Sequence, residues 1–314
     1  MLLVELAAGL VLLIAGGEVL VRGASALAAR LGVSPLLIGL TVVGFGTSTP
    51  ELVTSLQAAF AGSPGIAVGN VVGSNIANIL LILGAAAILM PFAVSANTFR
   101  RDGAVLVMAS LACLAVVATG SLVRPAGLLL VLGLGAYLLY AFVSERRATV
   151  AGAGVVPKAA PTQPGGSLGV STLFAVGGIA LTVLGARFLV GSASELAALW
   201  GVSDAVIGLT VVAVGTSLPE LVTSVVAAIR REGDIAFGNV VGSNIYNVLG
   251  ILGLTALIKP IPVPPAIAGF DIWVMMAATA ALVAVAVTGW RVTRGEGIAL
   301  LIAYALYVGW LAMG

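Results

Sequence analysis

The sequence predicts an all-α membrane protein, with ten transmembrane helices arranged as two inverted five-helix repeats. Three observations carry this prediction. Only 8% of the residues are charged and 61% are hydrophobic, whereas a soluble domain carries roughly 25% charged residues to hydrate its surface. Apolar stretches of about 20 residues, the length that crosses a bilayer, recur along the whole chain. Finally, residues 32–84 align without a gap on residues 201–253, at a constant offset of 169.

The expected spans lie near 3–21, 36–60, 66–90, 103–119, 126–143, 171–190, 205–229, 235–258, 271–289 and 297–313. The first has neither a basic leader nor a small-residue cleavage site, so it reads as a retained span rather than a signal peptide. Basic residues then orient the set. Loops on one side hold Arg22, Arg30, Arg100, Arg101, Arg146, Arg147, Lys158, Arg230, Arg231, Arg291 and Arg294, and the opposite loops hold only Arg124, Arg187 and Lys259. The positive-inside rule puts the richer side in the cytoplasm and both termini outside the cell membrane. Residues 144–170, rich in Pro, Gly, Ala and Ser, read as a flexible cytoplasmic linker between a first repeat at 1–143 and a second at 171–314.

Composition also narrows the chemistry. The chain has no histidine and one cysteine, Cys113. That excludes an intrachain disulfide, imidazole or cysteine-cluster metal sites and a histidine base. A net charge of +2 gives no basic face for nucleic acid. No nucleophile–base pair or cofactor motif is evident, so neither an enzyme nor a bound cofactor is expected.

Each half contributes five spans, an odd number, so equivalent segments cross the bilayer in opposite directions. Inverted repeats of this kind characterise secondary transporters, whose ion sites lie near the midplane where the halves meet. The two copies agree in their polar residues, which lipid alone would penalise. A cation channel is the competing class, but selectivity filters are rings built from several subunits, whereas this chain carries both copies itself.

Among the acidic residues, Glu51 and Glu220 fall inside spans, at matched positions. A carboxylate at membrane depth costs at least about 2.5–3.5 kcal/mol. Two of them with no Lys or Arg in the same span call for a metal ion or protons. Glu18 lies near the end of the first span and reads as structural. Around each glutamate the backbone is built to break. Pro50 and Pro219 lack an amide hydrogen, which frees a carbonyl one turn back, and Gly44, Gly46 and Gly215 permit close approach. Thr47 and Thr216 lie four residues before the glutamates, and Ser48 and Ser217 add hydroxyls. In the third and eighth spans Ser74 and Asn78, like Ser243 and Asn247, are spaced i, i+4 and share a helix face. Asn75 and Asn244, one position beyond each serine, read as interhelical hydrogen-bonding residues.

The resulting donor set is all oxygen, which suits hard cations. Ca²⁺ accepts 6–8 such ligands in tolerant geometry, Mg²⁺ demands a stricter octahedron, and Zn²⁺ or Cu²⁺ would want nitrogen or sulfur. Two carboxylates balance one divalent ion or two monovalent ones, and this equivalence is the physical basis of exchange.

At these residues the chain resembles the sodium/calcium exchangers of the calcium/cation antiporter superfamily. The paired GTS-x-PEL-x-TS and GN-x-x-GSN segments carry the likeness in both halves. The resemblance implies ten helices, alternating access and exchange of Na⁺ for Ca²⁺, in a protein that can work as a monomer. It also implies that Glu51 and Glu220 bridge Ca²⁺ with help from the Thr47 and Thr216 carbonyls. Ser48, Ser217, Ser74, Ser243, Gly44 and Ala213 would complete flanking Na⁺ sites, with Asn78 facing the centre. Several family members, including potassium-dependent ones, carry aspartate where this chain has Asn247, so the amide argues against potassium co-transport. The alternative is an H⁺/Ca²⁺ antiporter, a branch that usually has asparagine where Thr47 and Ser48 stand.

Overall fold

The computed structural model describes residues 2–150, 167–200 and 213–313, and they form helices joined by short turns and two very short ladders. In chain order these are α1 (Leu2–Leu31), α2 (Pro35–Thr47), α3 (Thr49–Phe60), α4 (Pro64–Leu89), β1 (Phe92–Ala93), α5 (Ala96–Ala118), β2 (Ser121–Leu122) and α6 (Arg124–Val150). There follow α7 (Leu168–Leu199), α8 (Ala213–Thr216), α9 (Leu218–Ile229), α10 (Gly233–Ile258), β3 (Ile261–Pro262), α11 (Ile267–Val287), β4 (Arg291–Val292) and α12 (Arg294–Met313). Among the described residues seven helices are long and apolar enough to cross a membrane, and the bent pair α2–α3 raises the number to eight.

The helices overrun the apolar stretches that announce them. α1 continues to Leu31, past Glu18 and Arg22, and α7 continues to Leu199. Hydropathy marks the lipid-facing length, but helical backbone bonding does not stop where the side chains become polar. The expected linker is described only at its edges: residues 144–150 extend α6, residues 168–170 open α7, and 151–166 lie outside the described residues. The expected span at 205–229 is likewise described only from Ala213 onward.

Burial sorts the helices into layers. Most of α4 and α10 is buried, whereas α1, α6 and α7 leave most of their surface to the surroundings. Ile76, Ile79, Leu83, Ile245, Ile251 and Leu252 are fully buried at the centre. Leu129, Leu132 and Leu139 of α6 and Leu306 and Trp310 of α12 point outward. Large apolar side chains facing outward from an apolar core define a surface whose solvent is hydrocarbon.

α1 and α7 cross so closely that their backbones meet. A Cβ at Gly16 would lie 2.6 Å from the backbone nitrogen of Thr182, and one at Gly178 would lie 2.4 Å from that of Leu20. Small residues allow this approach in membrane helices, where packing drives association. The ladders fasten loops at opposite ends of α5: β1 pairs antiparallel with β4 (Phe92↔Val292) and β2 with β3 (Leu122↔Ile261).

Candidate functional site

The site forms where two helices break. α2 ends and α3 begins around Ser48 (φ −80°, ψ 11°), with a bend of 43°. α8 and α9 part at Ser217 (φ −90°, ψ 8°). Each break lies two residues before a proline, Pro50 or Pro219, which cannot donate a backbone hydrogen bond to the preceding turn. Glu51 and Glu220 therefore stand in the first turn of α3 and α9. There the positive end of the helix dipole favours a carboxylate.

The two breaks complete each other. Ser48 Oγ donates to Glu220 Oε1 at 2.8 Å, and Ser217 Oγ donates to Glu51 Oε1 at 3.2 Å. Both glutamates are 1% exposed, and the Oε2 of each is buried without a partner. Each serine lies one turn from the glutamate of its own helix, so this crossing holds the two carboxylates against one another. Two buried, half-satisfied carboxylates repel unless positive charge enters between them.

The helices packed on the two breaks carry neutral oxygens. Ser74 and Asn78 on α4 and Ser243 and Asn247 on α10 are all buried. Asn78 opens a π-turn, Asn78–Leu83, and Asn247 lies in the equivalent turn, Tyr246–Leu252. Such turns widen a helix locally and recur at functional sites. The turn holding Asn78 packs on α9, and the one holding Asn247 packs on α3. The Oδ1 atoms of Asn78 and Asn247 are buried and unpartnered. Ser243 Oγ donates to Gly44 O at 3.3 Å, and a Cβ at Gly44 would lie 3.0 Å from Ser243 N. Thr47 is buried, its hydroxyl bonded to Val43 O at 3.0 Å, while Thr216 is half-buried. Ala213 opens α8, and its side chain lies outside the described residues. No group of three or more His, Cys, Asp or Glu is assembled among the described residues.

The residues read as hydrogen-bonding divide. Asn75 does bond across helices, its Oδ1 accepting from Asn247 Nδ2 at 3.1 Å. Asn244 donates within its own helix, to Val240 O at 2.7 Å. Glu18, read as structural, pairs with Arg22 at 2.6 Å and with Arg230 at the end of α9.

A second tier of residues escaped the sequence reading. Asn70 Nδ2 donates to Glu51 O and to Ser55 Oγ, both at 2.9 Å. Asn239 Nδ2 repeats the pattern toward Glu220 O (3.2 Å) and Ser224 Oγ (2.9 Å). Asn239 Oδ1 also accepts from Thr47 Oγ1 at 3.2 Å, tying the second break to the first. The signal was present, because these asparagines and serines repeat at the same offset of 169. They lie inside the paired GN-x-x-GSN and PEL-x-TS segments, but the sequence does not say which backbone carbonyls they reach.

Membrane-spanning helices broken around paired, buried carboxylates among hydroxyls and amides define a class: a membrane transport protein for cations. The particular family follows from comparison with known proteins. The model of the sodium/calcium exchanger protein family matches residues 1–143 and again 170–313, and the chain belongs to that family, whose members are antiporters rather than enzymes. It is 36% identical over 335 residues to the sodium/calcium exchanger MaX1 of Methanosarcina acetivorans, covering 96% of this chain and 95% of that one. It is 37% identical over 309 residues to the inner membrane protein YrbG of Escherichia coli, covering 97% and 94%. Among solved structures it resembles the sodium-calcium exchanger NCX_Mj soaked with zero Na⁺ and Ca²⁺. That match has a TM-score of 0.83 and 31% identity, and covers 99% of this chain and 98% of that one.

Proposed function

We propose that this chain exchanges Na⁺ for Ca²⁺ by alternating access, as a monomer in the cell membrane with both termini outside. In this reading its ten spans form two inverted repeats, 1–143 and 171–314. Glu51 and Glu220 jointly hold Ca²⁺ with the Thr47 and Thr216 carbonyls, and Asn78 and Asn247 face the same ion. Ser48, Ser217, Ser74, Ser243, Gly44 and Ala213 provide the Na⁺ positions.

The observation that carries the proposal is the crossed pair of serine–glutamate bonds with one carboxylate oxygen left open on each side. Emptied of cations, that arrangement buries two like charges, which disfavours switching sides until the site refills. Occupied by one Ca²⁺ or by Na⁺ ions, the charge is balanced and the breaks can move together. The threonine and serine at 47 and 48, the MaX1 relative and the NCX_Mj likeness support sodium over protons as the coupling ion.

The test is counter-flow. Proteoliposomes loaded with Na⁺ and diluted into Na⁺-free buffer take up labelled Ca²⁺, and Glu51→Gln and Glu220→Gln each abolish uptake while remaining folded. Uptake that ignores internal Na⁺ but follows a pH gradient overturns sodium coupling. Wild-type uptake in either variant overturns the site.

A further inference from the structure

The offset of 169 makes Asn75 equivalent to Asn244 and Asn78 equivalent to Asn247, yet the amides are not arranged alike. Asn247 Nδ2 donates to Asn75 Oδ1, and Asn75 Nδ2 in turn donates to the thioether sulfur of Met275 at 3.6 Å. In the other half the chain of bonds is missing. Asn244 turns its Nδ2 to Val240 O, and its Oδ1 is buried without a partner.

One substitution between the halves parallels this difference. Met275 lies on α11, which packs on α4, and its equivalent on α5, which packs on α10, is Leu106. Both are fully buried, at 0% and 1% exposure. A thioether is a weak acceptor and an isobutyl group is none. Asn75 therefore finds an acceptor for its amide hydrogens on the neighbouring helix, which leaves its oxygen facing Asn247. At the matched position on the helix that packs on α10, Leu106 offers no acceptor, and Asn244 donates within its own helix.

We propose that Met275 is a positioning residue for the cation site. By accepting from Asn75 it fixes the Asn75 oxygen toward Asn247 Nδ2, and so presents Asn247 Oδ1 as a preset oxygen ligand. This rests on the reading above, in which Asn247 faces the transported Ca²⁺. Asn78 has no such support, so the two amide oxygens differ in readiness although the sequence makes them equivalent. Preorganised donors bind without first losing rotamer freedom, so the effect belongs in affinity rather than in maximal rate.

Two variants of similar size separate hydrogen bonding from packing. Met275→Leu removes the acceptor, and such swaps are tolerated in cores. Met275→Gln supplies an amide oxygen at the same reach. Na⁺-driven Ca²⁺ uptake is measured in proteoliposomes, with equilibrium binding of labelled Ca²⁺ to the detergent-solubilised protein as a second readout. Met275→Leu is expected to raise the half-saturating Ca²⁺ concentration about three- to tenfold with maximal rate within about twofold, the size of one net hydrogen bond. Met275→Gln is expected to restore wild-type affinity. The converse change, Leu106→Met, is expected to tighten Ca²⁺ binding by giving Asn244 the same partner. Equal behaviour of the leucine and glutamine variants overturns the proposal, whether both match wild type or both fall. So does an unchanged affinity in Leu106→Met, which decides the matter if Met275→Leu does not fold. Glu51→Gln run alongside separates the two claims. If it transports Ca²⁺ normally the exchange site itself is wrong, whereas its loss with an unaffected Met275→Leu removes Met275 alone.

Discussion

Ser48 donates its hydroxyl hydrogen to Glu220, 172 residues away in the chain, and not to Glu51 three residues on. Locally, Ser-x-x-Glu is the pattern of a capping box, in which the serine would cap its own helix and the glutamate would reach back. Neither α3 nor α9 has a side-chain cap at its break. Both serines are spent across the interface on the other half's carboxylate. Each half thus presents an acid that only the other half can satisfy, which makes the site a property of the two breaks together.

The crossing predicts which pairs couple. Hydrogen bonds to charged groups contribute about 1.5–3 kcal/mol, so Ser48→Ala is expected to lower stability by that order in cation-free detergent solution. A double-mutant cycle of Ser48→Ala with Glu220→Gln should give a coupling of about 1 kcal/mol or more. The cycle with Glu51→Gln should give a smaller coupling, because Ser48 bonds Glu220 and reaches Glu51 only through the crossed network. Denaturation midpoints of the four proteins in each cycle decide it, and stronger coupling to Glu51 would restore the capping-box reading.

Asn239 sits at a denser node than its equivalent. Its amide donates to Glu220 O and Ser224 Oγ, and its oxygen accepts from Thr47. Asn239→Ala removes the bonds to Glu220 O and Ser224 Oγ, at about 1–3 kcal/mol for each buried group that finds no new partner, while Thr47 keeps its bond to Val43 O. We expect a drop in melting temperature together with loss of Ca²⁺ uptake, because the first turn of α9 holds Glu220. Asn239→Asp keeps the size and the acceptor for Thr47 but loses the two donated bonds, so it should behave like alanine. A wild-type melting curve and wild-type uptake in the aspartate variant would show that the donated bonds do not hold the turn.

Much of this was legible before any coordinates. The repeat at a fixed offset, the prolines beside Glu51 and Glu220, and the spacing of Ser74 with Asn78 all mark polar side chains that lipid would reject. Those marks exist because burial of charge is costly enough to stand out in an apolar sequence. What stayed hidden is relational. Nothing in the chain says that Ser48 belongs to Glu220, that Asn70 reaches the carbonyl of Glu51, or that Met275 rather than Leu106 gives an asparagine its acceptor. The π-turns at Asn78 and Asn247 were hidden for a different reason: they shift backbone bonding by one residue without changing composition. The two-residue ladders are too short to carry an alternating pattern.

Close helix crossing supplies a prediction on stability. At Gly16 a side chain would collide with the backbone of α7, which cannot rotate away as a side chain can. Gly16→Val is therefore expected to cost about 1–3 kcal/mol or to prevent folding, the range for overpacked cores. Gly133 on α6 has open space where a Cβ would go, so Gly133→Ala should fold and transport like wild type. Detergent melting curves of the two variants make the comparison, and equal curves would mean that α1 and α7 do not need their close approach.

The proposed site separates its glutamates from Glu18 by burial rather than by position within an apolar stretch, and Glu18 tests this. It lies within the long apolar α1, as Glu51 lies within the apolar α3, and it too has serine and glycine near it in sequence. In the fold it reaches the rim, where about a third of its side chain is exposed and Arg22 and Arg230 hold it. Exposed ion pairs contribute about 0–1 kcal/mol and are screened by salt. Glu18→Gln is accordingly expected to leave Ca²⁺ uptake within about twofold of wild type and to shift stability by less than about 1 kcal/mol, a shift that shrinks further as NaCl is replaced by higher ionic strength in choline chloride. Glu51→Gln in the same assay loses transport. If Glu18→Gln instead abolished uptake while the protein stayed folded, the contact between α1 and the end of α9 would have to belong to the transport cycle itself, and the division between buried and rim carboxylates would fail as a guide to function.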